Sequence, residues 1–178
     1  MINATPLTPD QFGALFTAFR TEAFRLEMLP VYDVPEEAES YAAFKAGQPP
    51  PPHFNDEWSS FIASKVGQGA AMRRVRLVPN PMTDYFRFEA GWYYGVNAAA
   101  GEDIRFISVD ALAPILLTLP AVQDFWVFDR TQLVLMDYDE AGRFKGGRLA
   151  TGPEIAPYLA AIAPLQAAAS APDLSRYS

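Results

Sequence analysis

Two strand-like segments with a helical segment between them constrain the fold of this chain more than any other feature. In the first, RRVRLVPNP, Val75 and Leu77 lie on one side while Arg74 and Arg76 lie on the other, an alternation typical of a β-strand. The second, EDIRFISVD, repeats a strand pattern over 103–109. Strands separated by this distance pair in parallel through a right-handed crossover. The sequence therefore predicts a β-α-β unit.

The helix of this unit has recognisable ends in the sequence. Asn80-Pro81 is typical of a helix N-cap followed by proline in the first turn. Gly101 ends the connection to the second strand. We expect the aromatic and apolar residues between these ends to lie on roughly one face of the helix.

Three further strand patterns follow the β-α-β unit. FWVFD and QLVLMDYD are predicted strands joined by a tight turn at Arg130-Thr131, and FKGGRLAT follows a second turn at 140–142. Such short spacings predict an antiparallel meander. Pro153 then begins a last helix, which carries an apolar stripe.

The residues before the β-α-β unit are predicted to be helical. Helical periodicity covers Thr8 to Phe24, and a second short helix is predicted over Pro35 to Ala46. The prolines of 48–52 cannot continue a helix, so this run is a stiff connector. A further helix is expected around 55–67.

We therefore predict an α/β fold with a single mixed sheet. The sheet combines the β-α-β unit with the antiparallel meander and a C-terminal helix, and a helical N-terminal extension precedes it. The predicted boundaries are 1–54 for the helical extension and its proline-rich connector, 55–170 for the α/β domain and 171–178 for a disordered tail.

Charge and composition narrow the functional classes. A formal net charge of -7 argues against direct binding to nucleic acid. The absence of cysteine excludes disulfides and thiolate metal sites, and it fits a reducing compartment. The N-terminus lacks a signal-peptide pattern, and ALAPILLTLPAV is too short and too rich in proline to cross a bilayer. We expect a cytoplasmic protein without membrane contact, and we predict neither a cofactor nor a metal.

Arginine and aromatic residues around the β-α-β unit form the predicted ligand site. The guanidiniums of Arg74 and Arg76 lie on one strand face and can hold a phosphate or carboxylate bidentately, and Arg87 on the following helix could join them. The alternative is internal ion pairing with acids such as Glu89 and Glu102, which would neutralise the patch. The predicted ligand-binding residues are Arg74, Arg76, Arg87, Tyr85, Glu89 and Trp92.

A second set of residues is a candidate partner surface. Arg25 can either hold an anionic group or pair internally with an acid of the same chain, and Tyr32 is its neighbour. Trp126 is the third residue of the set.

The acids around the meander, Asp124, Asp129, Asp137 and Asp139, fall mostly at strand ends and turns, where acids are usually solvated. An enzyme with acid/base groups drawn from Asp124, Asp129 or Glu89 remains open as an alternative.

The ordered segments RLEMLPVY, ESYAAFKAG, RRVRLVPNPMTDYFRFE, NAAAGEDIRF, DFWVFD and YDEAGRF resemble an uncharacterised actinobacterial family. Its members are a domain of unknown function often encoded beside helix-turn-helix regulators, and the resemblance spans Phe16 to Tyr158. It implies a regulatory or sensory role. The element order is also similar to one half of the phospholipase D-like fold. Active members of that fold need a His-x-Lys pair followed by Asp, and the region near Asp124 has neither His nor Lys.

These observations predict a non-catalytic cytoplasmic accessory or sensor protein. It would bind a helix-turn-helix regulator protein and a small anionic ligand, and a homodimer is left open. The alternative is an enzyme that acts on a phosphorylated or nucleotide-like substrate. A third interpretation is a homo-oligomeric structural protein with a large apolar patch outside the core.

Overall fold

The computed structural model describes residues 2–177 as one mixed α/β unit. Seven strands make a single sheet. They are β1 (Thr5–Pro6), β2 (Glu22–Glu27), β3 (Ala71–Leu77), β4 (Asp103–Ile107), β5 (Phe125–Phe128), β6 (Gln132–Tyr138) and β7 (Phe144–Thr151). The order across the sheet is β1-β7-β6-β5-β2-β3-β4. The predicted α/β class with a single mixed sheet is confirmed.

Seven α-helices cover the two faces of the sheet. They are α1 (Pro9–Ala18), α2 (Ala38–Lys45), α3 (Asp56–Gly67), α4 (Asp84–Phe88), α5 (Tyr94–Ala100), α6 (Val109–Leu116) and α7 (Ala156–Ala168). Three short 3₁₀ turns, Pro35–Glu37, Gly152–Ile155 and Leu174–Arg176, and a π-helical turn, Glu89–Tyr93, complete the elements of the described residues. No helix within residues 2–177 is long and apolar enough to cross a membrane.

One face of the sheet packs against α6 and α7. Phe24 and Leu26 of β2 and Val75 of β3 point to this face and are at most 1% exposed. Tyr158 of α7 packs edge-on against the ring of Phe125, with ring centroids 5.1 Å apart. This face forms a continuous apolar core, one of three hydrophobic clusters whose burial offsets the entropy of folding.

The predicted β-α-β unit and the meander are both present. β3 and β4 pair in parallel, and Arg74 lies opposite Ile104. β5, β6 and β7 pair antiparallel in sequence order. Gly101 ends α5 in the left-handed conformation, with φ of 111°. The predicted β-α-β unit and antiparallel meander are therefore confirmed.

The predicted helix over Thr8 to Phe24 is too long. Residues 22–27 are not the end of a helix but strand β2, which pairs in parallel with β3 and antiparallel with β5. Helical periodicity ends earlier, because α1 stops at Ala18 and Phe19 already has extended backbone, with φ -62° and ψ 148°. The predicted helical extension thus contributes a central strand of the sheet.

The helix after β3 begins later than predicted. Thr83, not Asn80, is the N-cap of α4, and its side-chain oxygen accepts a hydrogen bond from the backbone N–H of Phe86 at 3.1 Å. The π-helical turn Glu89–Tyr93 separates α4 from α5. Single π-helical turns inside helices are frequent at functional sites, because they change the direction of the side chains that follow.

The turn between β5 and β6 is centred on Asp129 and Arg130, one residue before the predicted position. Both residues have positive φ, 49° and 56°, which is the geometry of a type I′ hairpin turn. The Asp129 carboxylate accepts hydrogen bonds from the backbone N–H groups of Arg20, Thr21 and Glu22. The turn therefore also anchors the start of β2.

The segment predicted as a disordered tail lies against the sheet. Ser170, the residue before this segment, pairs with Phe106 of β4 through two backbone hydrogen bonds of 2.8 and 2.9 Å. The ring of Tyr177 contacts those of Phe86 and Phe106 at centroid distances of 5.8 and 6.1 Å. Ser178, the last residue of the predicted tail, lies outside the described residues.

Candidate functional site

Charged side chains occupy the second face of the sheet at its centre. On β2, Arg25 and Glu27 point to this face, while β3 contributes Arg74 and Arg76. All four are buried, although charged side chains are rarely buried without partners. The alternation that made β3 recognisable in the sequence, and that β2 shares, thus gives the sheet one apolar face and one face that is charged at its centre.

The buried arginines are paired with acids from several elements. Arg74 donates to Glu27 at 2.6 Å and to Glu102 at 2.8 Å. Arg76, which is fully buried, donates to Glu89 at 2.9 Å and to the carbonyl oxygen of Leu29 at 2.7 Å. The alternative of internal ion pairing, raised from the sequence, describes Arg74 and Arg76 as the structure has them.

Glu27 is the centre of this network. Burial alone would raise the pKa of its carboxyl, but the positive charges of Arg74, Arg25 and Arg76 outweigh burial and lower the pKa to about 2. The hydroxyl of Tyr94 donates to the same carboxylate at 3.2 Å. Glu27 is therefore an anion that accepts hydrogen bonds from Arg25, Arg74 and Tyr94 and is further stabilised by the charge of Arg76.

A cavity of about 1060 Å³ opens above this network. Its floor includes Arg25, Glu27, Arg74 and Glu89. Its walls are rich in aromatic rings, from Phe16, Phe54, Trp58, Phe61, Tyr93, Tyr94, Tyr138 and Phe144. A concave, largely apolar site with a few converging polar groups is the usual form of a small-molecule site, and this volume lies at the upper end of the usual range.

The aromatic walls are packed against one another on both sides. Trp58 and Phe61 stack with ring centroids 5.2 Å apart, and Phe16 meets Trp58 edge-on at 5.7 Å. On the other side, Phe144 is 43% exposed at the cavity mouth and contacts the ring of Tyr138 at 5.8 Å. These contacts hold the walls in place around the cavity.

Arg25 connects the walls to the floor. Its Nε donates to Glu27 at 3.2 Å, and its Nη2 donates to the hydroxyl of Tyr138 at 2.8 Å. Its guanidinium lies over the ring of Trp126, 5.2 Å from the centroid. The third nitrogen, Nη1, is buried and has no hydrogen-bond partner within residues 2–177. A buried donor without a partner is costly and points to an acceptor supplied from elsewhere.

Glu37, at the end of the 3₁₀ turn Pro35–Glu37, is a second unusual group in the cavity. Its carboxylate accepts a hydrogen bond of 2.6 Å from the hydroxyl of Tyr85. Burial raises its pKa to about 7, despite that hydrogen bond, and the negative charges of Glu89 and Glu27 add to the effect. A carboxyl that titrates near neutral pH in a cavity is typical of functional sites.

The predicted ligand-binding residues divide into two groups. Arg74, Tyr85 and Glu89 line the cavity, whereas Arg76, Arg87 and Trp92 do not. Arg76 is enclosed by Glu89 and the rings of Tyr32 and Phe86. The side chain of Arg87 is 49% exposed and pairs with Asp84. Trp92 packs against Phe44, Phe54 and Phe88.

The predicted partner-binding residues lie inside the molecule. Arg25 and Tyr32 line the cavity and are 5% and 6% exposed, and Trp126 is 5% exposed and stacks on Phe128. Such burial removes all three from any flat outer surface. The structure instead brings Arg25 and Tyr32 together with Arg74, Tyr85 and Glu89 in one cavity.

The acids of the meander have structural partners. Asp124 is buried and accepts hydrogen bonds from the hydroxyl of Tyr32 and the N–H of Met28; burial raises its pKa, although the charge of Arg25 opposes the rise. Asp137 pairs with Arg148 at 2.7 Å, and Asp139 accepts the N–H groups of Ala141 and Arg143 in a turn. No group of three or more acids or histidines within residues 2–177 is arranged to hold a metal ion.

The sheet order and helix placement define a mixed α/β fold similar to that of phospholipase D-like proteins. A solved phospholipase D family member, Nuc from Salmonella typhimurium, matches with a TM-score of 0.51 at 9% sequence identity, covering 96% of each chain. At this identity the likeness shows the fold alone. The single histidine, His53, is followed by Phe54 and Asn55, so the sequence contains no His-x-Lys pair.

A match between the sequence and a family model identifies the family of this chain. This chain belongs to the family described as Domain of unknown function (DUF6879), which matches residues 10–178. No curated protein matches the sequence. The family assignment covers nearly the whole chain, so the cavity and its charged floor lie entirely within the family's domain.

Proposed function

We propose that this protein binds a small molecule in the cavity and acts without catalysis, as a cytoplasmic accessory or sensor protein that engages a regulator protein. The observation that carries the proposal is the cavity itself. It has aromatic walls, a buried charged floor and one guanidinium nitrogen, Arg25 Nη1, without a protein partner. Preformed sites of this kind bind ligands with little reorganisation.

The charges of the cavity floor argue against the small anionic ligand that the sequence predicts. Arg74 and Arg76 are neutralised by Glu27, Glu102 and Glu89 at hydrogen-bond distance. An anion would have to displace these buried carboxylates, which would leave them uncompensated at a cost of several kcal/mol, roughly. The geometry therefore favours a ligand other than a small anion at these two arginines.

The regulator partner belongs to the proposal through the sequence resemblance. Relatives in actinobacteria, often encoded beside helix-turn-helix regulators, suggest a basic DNA-binding partner for a chain with a net charge of -7. Complementary charges speed such encounters. Binding of a small molecule in the cavity would then alter how the protein engages the regulator.

Native mass spectrometry tests the proposal directly. The protein is purified gently from its own source, and its native mass is compared with its denatured mass. We expect an added small-molecule mass, a co-purifying protein, or both, whereas twice the chain mass would identify a homodimer. A bare monomeric chain under gentle conditions would contradict the proposal.

Two glycine variants localise the bound molecule. Gly13 lies in α1 and lines the cavity, and a Cβ added there meets no heavy atom within 4 Å. Gly95 lies in α5, has the same free space and does not line the cavity. We expect Gly13→Trp to lose the small-molecule mass and Gly95→Trp to retain it.

An enzyme is the second candidate, and Glu37 is the observation that favours it. A cavity carboxyl with a pKa of about 7 can exchange protons at neutral pH. Among the acids named from the sequence, Glu89 lines the cavity. Burial is the largest single effect on Asp129 and raises its pKa, but the hydrogen bonds from Thr21, Glu22 and Arg20 together outweigh it and lower the pKa. Turnover of a phosphorylated or nucleotide-like compound that is lost in Glu37→Gln but kept in Glu154→Gln would establish this candidate.

A further inference from the structure

Acidic side chains outnumber basic ones around the cavity. Each lining arginine has a carboxylate partner, as Arg25 and Arg74 pair with Glu27 and Arg143 pairs with Asp33. Three lining acids, Glu36, Glu37 and Glu57, have no cationic partner within residues 2–177. Acids therefore outnumber cations in the lining, and Glu37, with a pKa of about 7, carries its full negative charge only above that pH. An excess of carboxylates attracts a cation and repels an anion.

The aromatic walls act in the same direction. A cation over a ring face is attracted by the ring quadrupole, and cavities lined by several rings recognise organic ammonium groups. The structure already uses this interaction at the floor, where the guanidinium of Arg74 lies over Tyr94, 5.6 Å from the ring centroid. Rings of the upper walls, such as Phe54 and Trp58, have no arginine or lysine over them within residues 2–177.

The floor adds a requirement of opposite kind. Arg25 is only 5% exposed, and its Nη1 has no hydrogen-bond acceptor within residues 2–177. Its other two nitrogens are held by Glu27 and Tyr138, so the guanidinium cannot turn to find one. A ligand that reaches the floor would satisfy this donor with a hydroxyl or carbonyl oxygen.

Taking the proposed function as its basis, we infer that the cavity binds a small organic cation: an amine with a ring-sized apolar body and an acceptor oxygen. The ammonium group lies near Glu37, Glu36 and Glu57, the body packs between the aromatic walls, and the oxygen accepts from Arg25 Nη1. The ligand class is thus the opposite in charge to the anion expected from the sequence.

Three matched probes test the charge and the acceptor separately by isothermal titration calorimetry. Tyramine has the ammonium, the ring and a hydroxyl; 4-hydroxyphenylacetate replaces the ammonium with a carboxylate; 2-phenylethylamine lacks the hydroxyl. We expect tyramine to bind about tenfold more tightly than 4-hydroxyphenylacetate, because a desolvated cation–π contact contributes about this factor. We expect 2-phenylethylamine to bind about fivefold more weakly than tyramine, since Arg25 Nη1 stays unpaired.

Variants locate the ammonium group. Glu37→Gln should weaken tyramine binding about tenfold while preserving an acceptor for the Tyr85 hydroxyl. Glu154→Gln, which removes an exposed carboxylate outside the cavity, should leave binding unchanged. If Glu37→Gln does not fold, Glu57→Gln at the exposed rim should still weaken tyramine binding.

The outcomes separate this inference from the proposed function. Equal or tighter binding of 4-hydroxyphenylacetate would overturn the cation inference and leave the proposed function standing. Absence of binding by all three probes, together with a retained molecule in native mass spectrometry, would do the same. Absence of both would overturn the two proposals together.

Discussion

At the scale of single residues, the most unusual feature is a group of charges placed where apolar side chains normally pack. Glu27 compensates Arg25 and Arg74 together, while Arg76 is compensated mainly by Glu89. Buried ion pairs contribute little net stability, but the loss of one partner leaves an uncompensated buried charge. These residues are therefore expected to be intolerant of single changes and to fix the shape of the cavity floor.

The variant Glu27→Gln should destabilise the protein by about 3–5 kcal/mol, because two buried arginines lose their shared carboxylate. The measurement is urea unfolding at neutral pH. Asp103→Asn is the control: its pair with Arg105 is about 40% exposed, and its loss should cost roughly 0–1 kcal/mol. Equal destabilisation by the two variants would contradict a special role for the buried network.

The same variant has a defined pH dependence. Since the pKa of Glu27 is lowered from 4.5 to about 2, its contribution to stability is present above pH 4.5 and is lost as the pH falls towards 2. The stability difference between the unaltered protein and Glu27→Gln should therefore shrink across this range. A difference that stays constant from pH 5 to about pH 2 would argue against an ionised Glu27.

Glu37 should have the opposite pH dependence. Its pKa is raised from 4.5 to about 7, so the stability tied to its protonated form is present below pH 4.5 and lost as the pH rises through 7. Glu89, Glu27, Arg74 and the Tyr85 hydroxyl are the groups that act on it. We expect Glu37→Gln to gain stability relative to the unaltered protein between these pH values, measured by urea unfolding at each pH.

At the scale of the elements, the helical segment between β3 and β4 positions much of the cavity wall. The π-helical turn Glu89–Tyr93 places Glu89 at the buried floor, and Tyr94 at the start of α5 reaches Glu27. The helix start is fixed by Thr83, whose hydroxyl donates to the carbonyl oxygen of Pro30 at 2.7 Å and accepts the N–H of Phe86. The cap therefore also ties α4 to the loop that carries Tyr32.

Removal of the cap should measure this role. Thr83→Ala should destabilise the protein by about 1–2 kcal/mol, because an N-cap hydrogen bond and the link to Pro30 are both lost. Asn80→Ala, at the exposed position favoured by the sequence pattern, should change stability by less than roughly 0.5 kcal/mol. The reverse order of effects would restore Asn80 as the helix cap.

At the scale of the whole molecule, the chain folds as a unit in which early and late segments meet. β2, from the first part of the sequence, lies between β3 and β5, and β1 pairs with β7 at the far edge. The cavity accordingly draws residues from β2, β3, β6 and the helices around them. We therefore expect neither the sheet nor the cavity to form from one part of the chain alone.

Two truncations test this unity. A chain of residues 55–178 lacks the strand between β3 and β5, and we expect no cooperative thermal unfolding by circular dichroism. A chain of residues 1–170 keeps all seven strands and loses the contacts of Tyr177 with Phe86 and Phe106, so it should unfold cooperatively at a lower temperature. Cooperative unfolding of 55–178 would show that the boundary predicted after residue 54 is real.

The sequence by itself determined the β-α-β unit, the meander and the α/β class. Their signals are local, because alternation in β3 and β4 and the short turns of β5 to β7 need no distant partner to be recognised. It also identified Arg74, Glu89 and Glu102, together with the alternative that they pair internally. The local pattern placed the start of the helix after β3 at Asn80 instead of Thr83, because both residues are of types that cap helices.

Only the tertiary structure decided the place of β2 and the existence of the cavity. EAFRLE is short and follows a helical pattern without a break, so its strand character depends on its pairing with β3 and β5. Glu37 lies 10 residues after Glu27 in the sequence, and the fold places it over the same charged floor. Burial there removes water from the Glu37 carboxyl, which makes Glu37 a candidate. Desolvation depends on what surrounds a group in space, and no spacing along the chain records it.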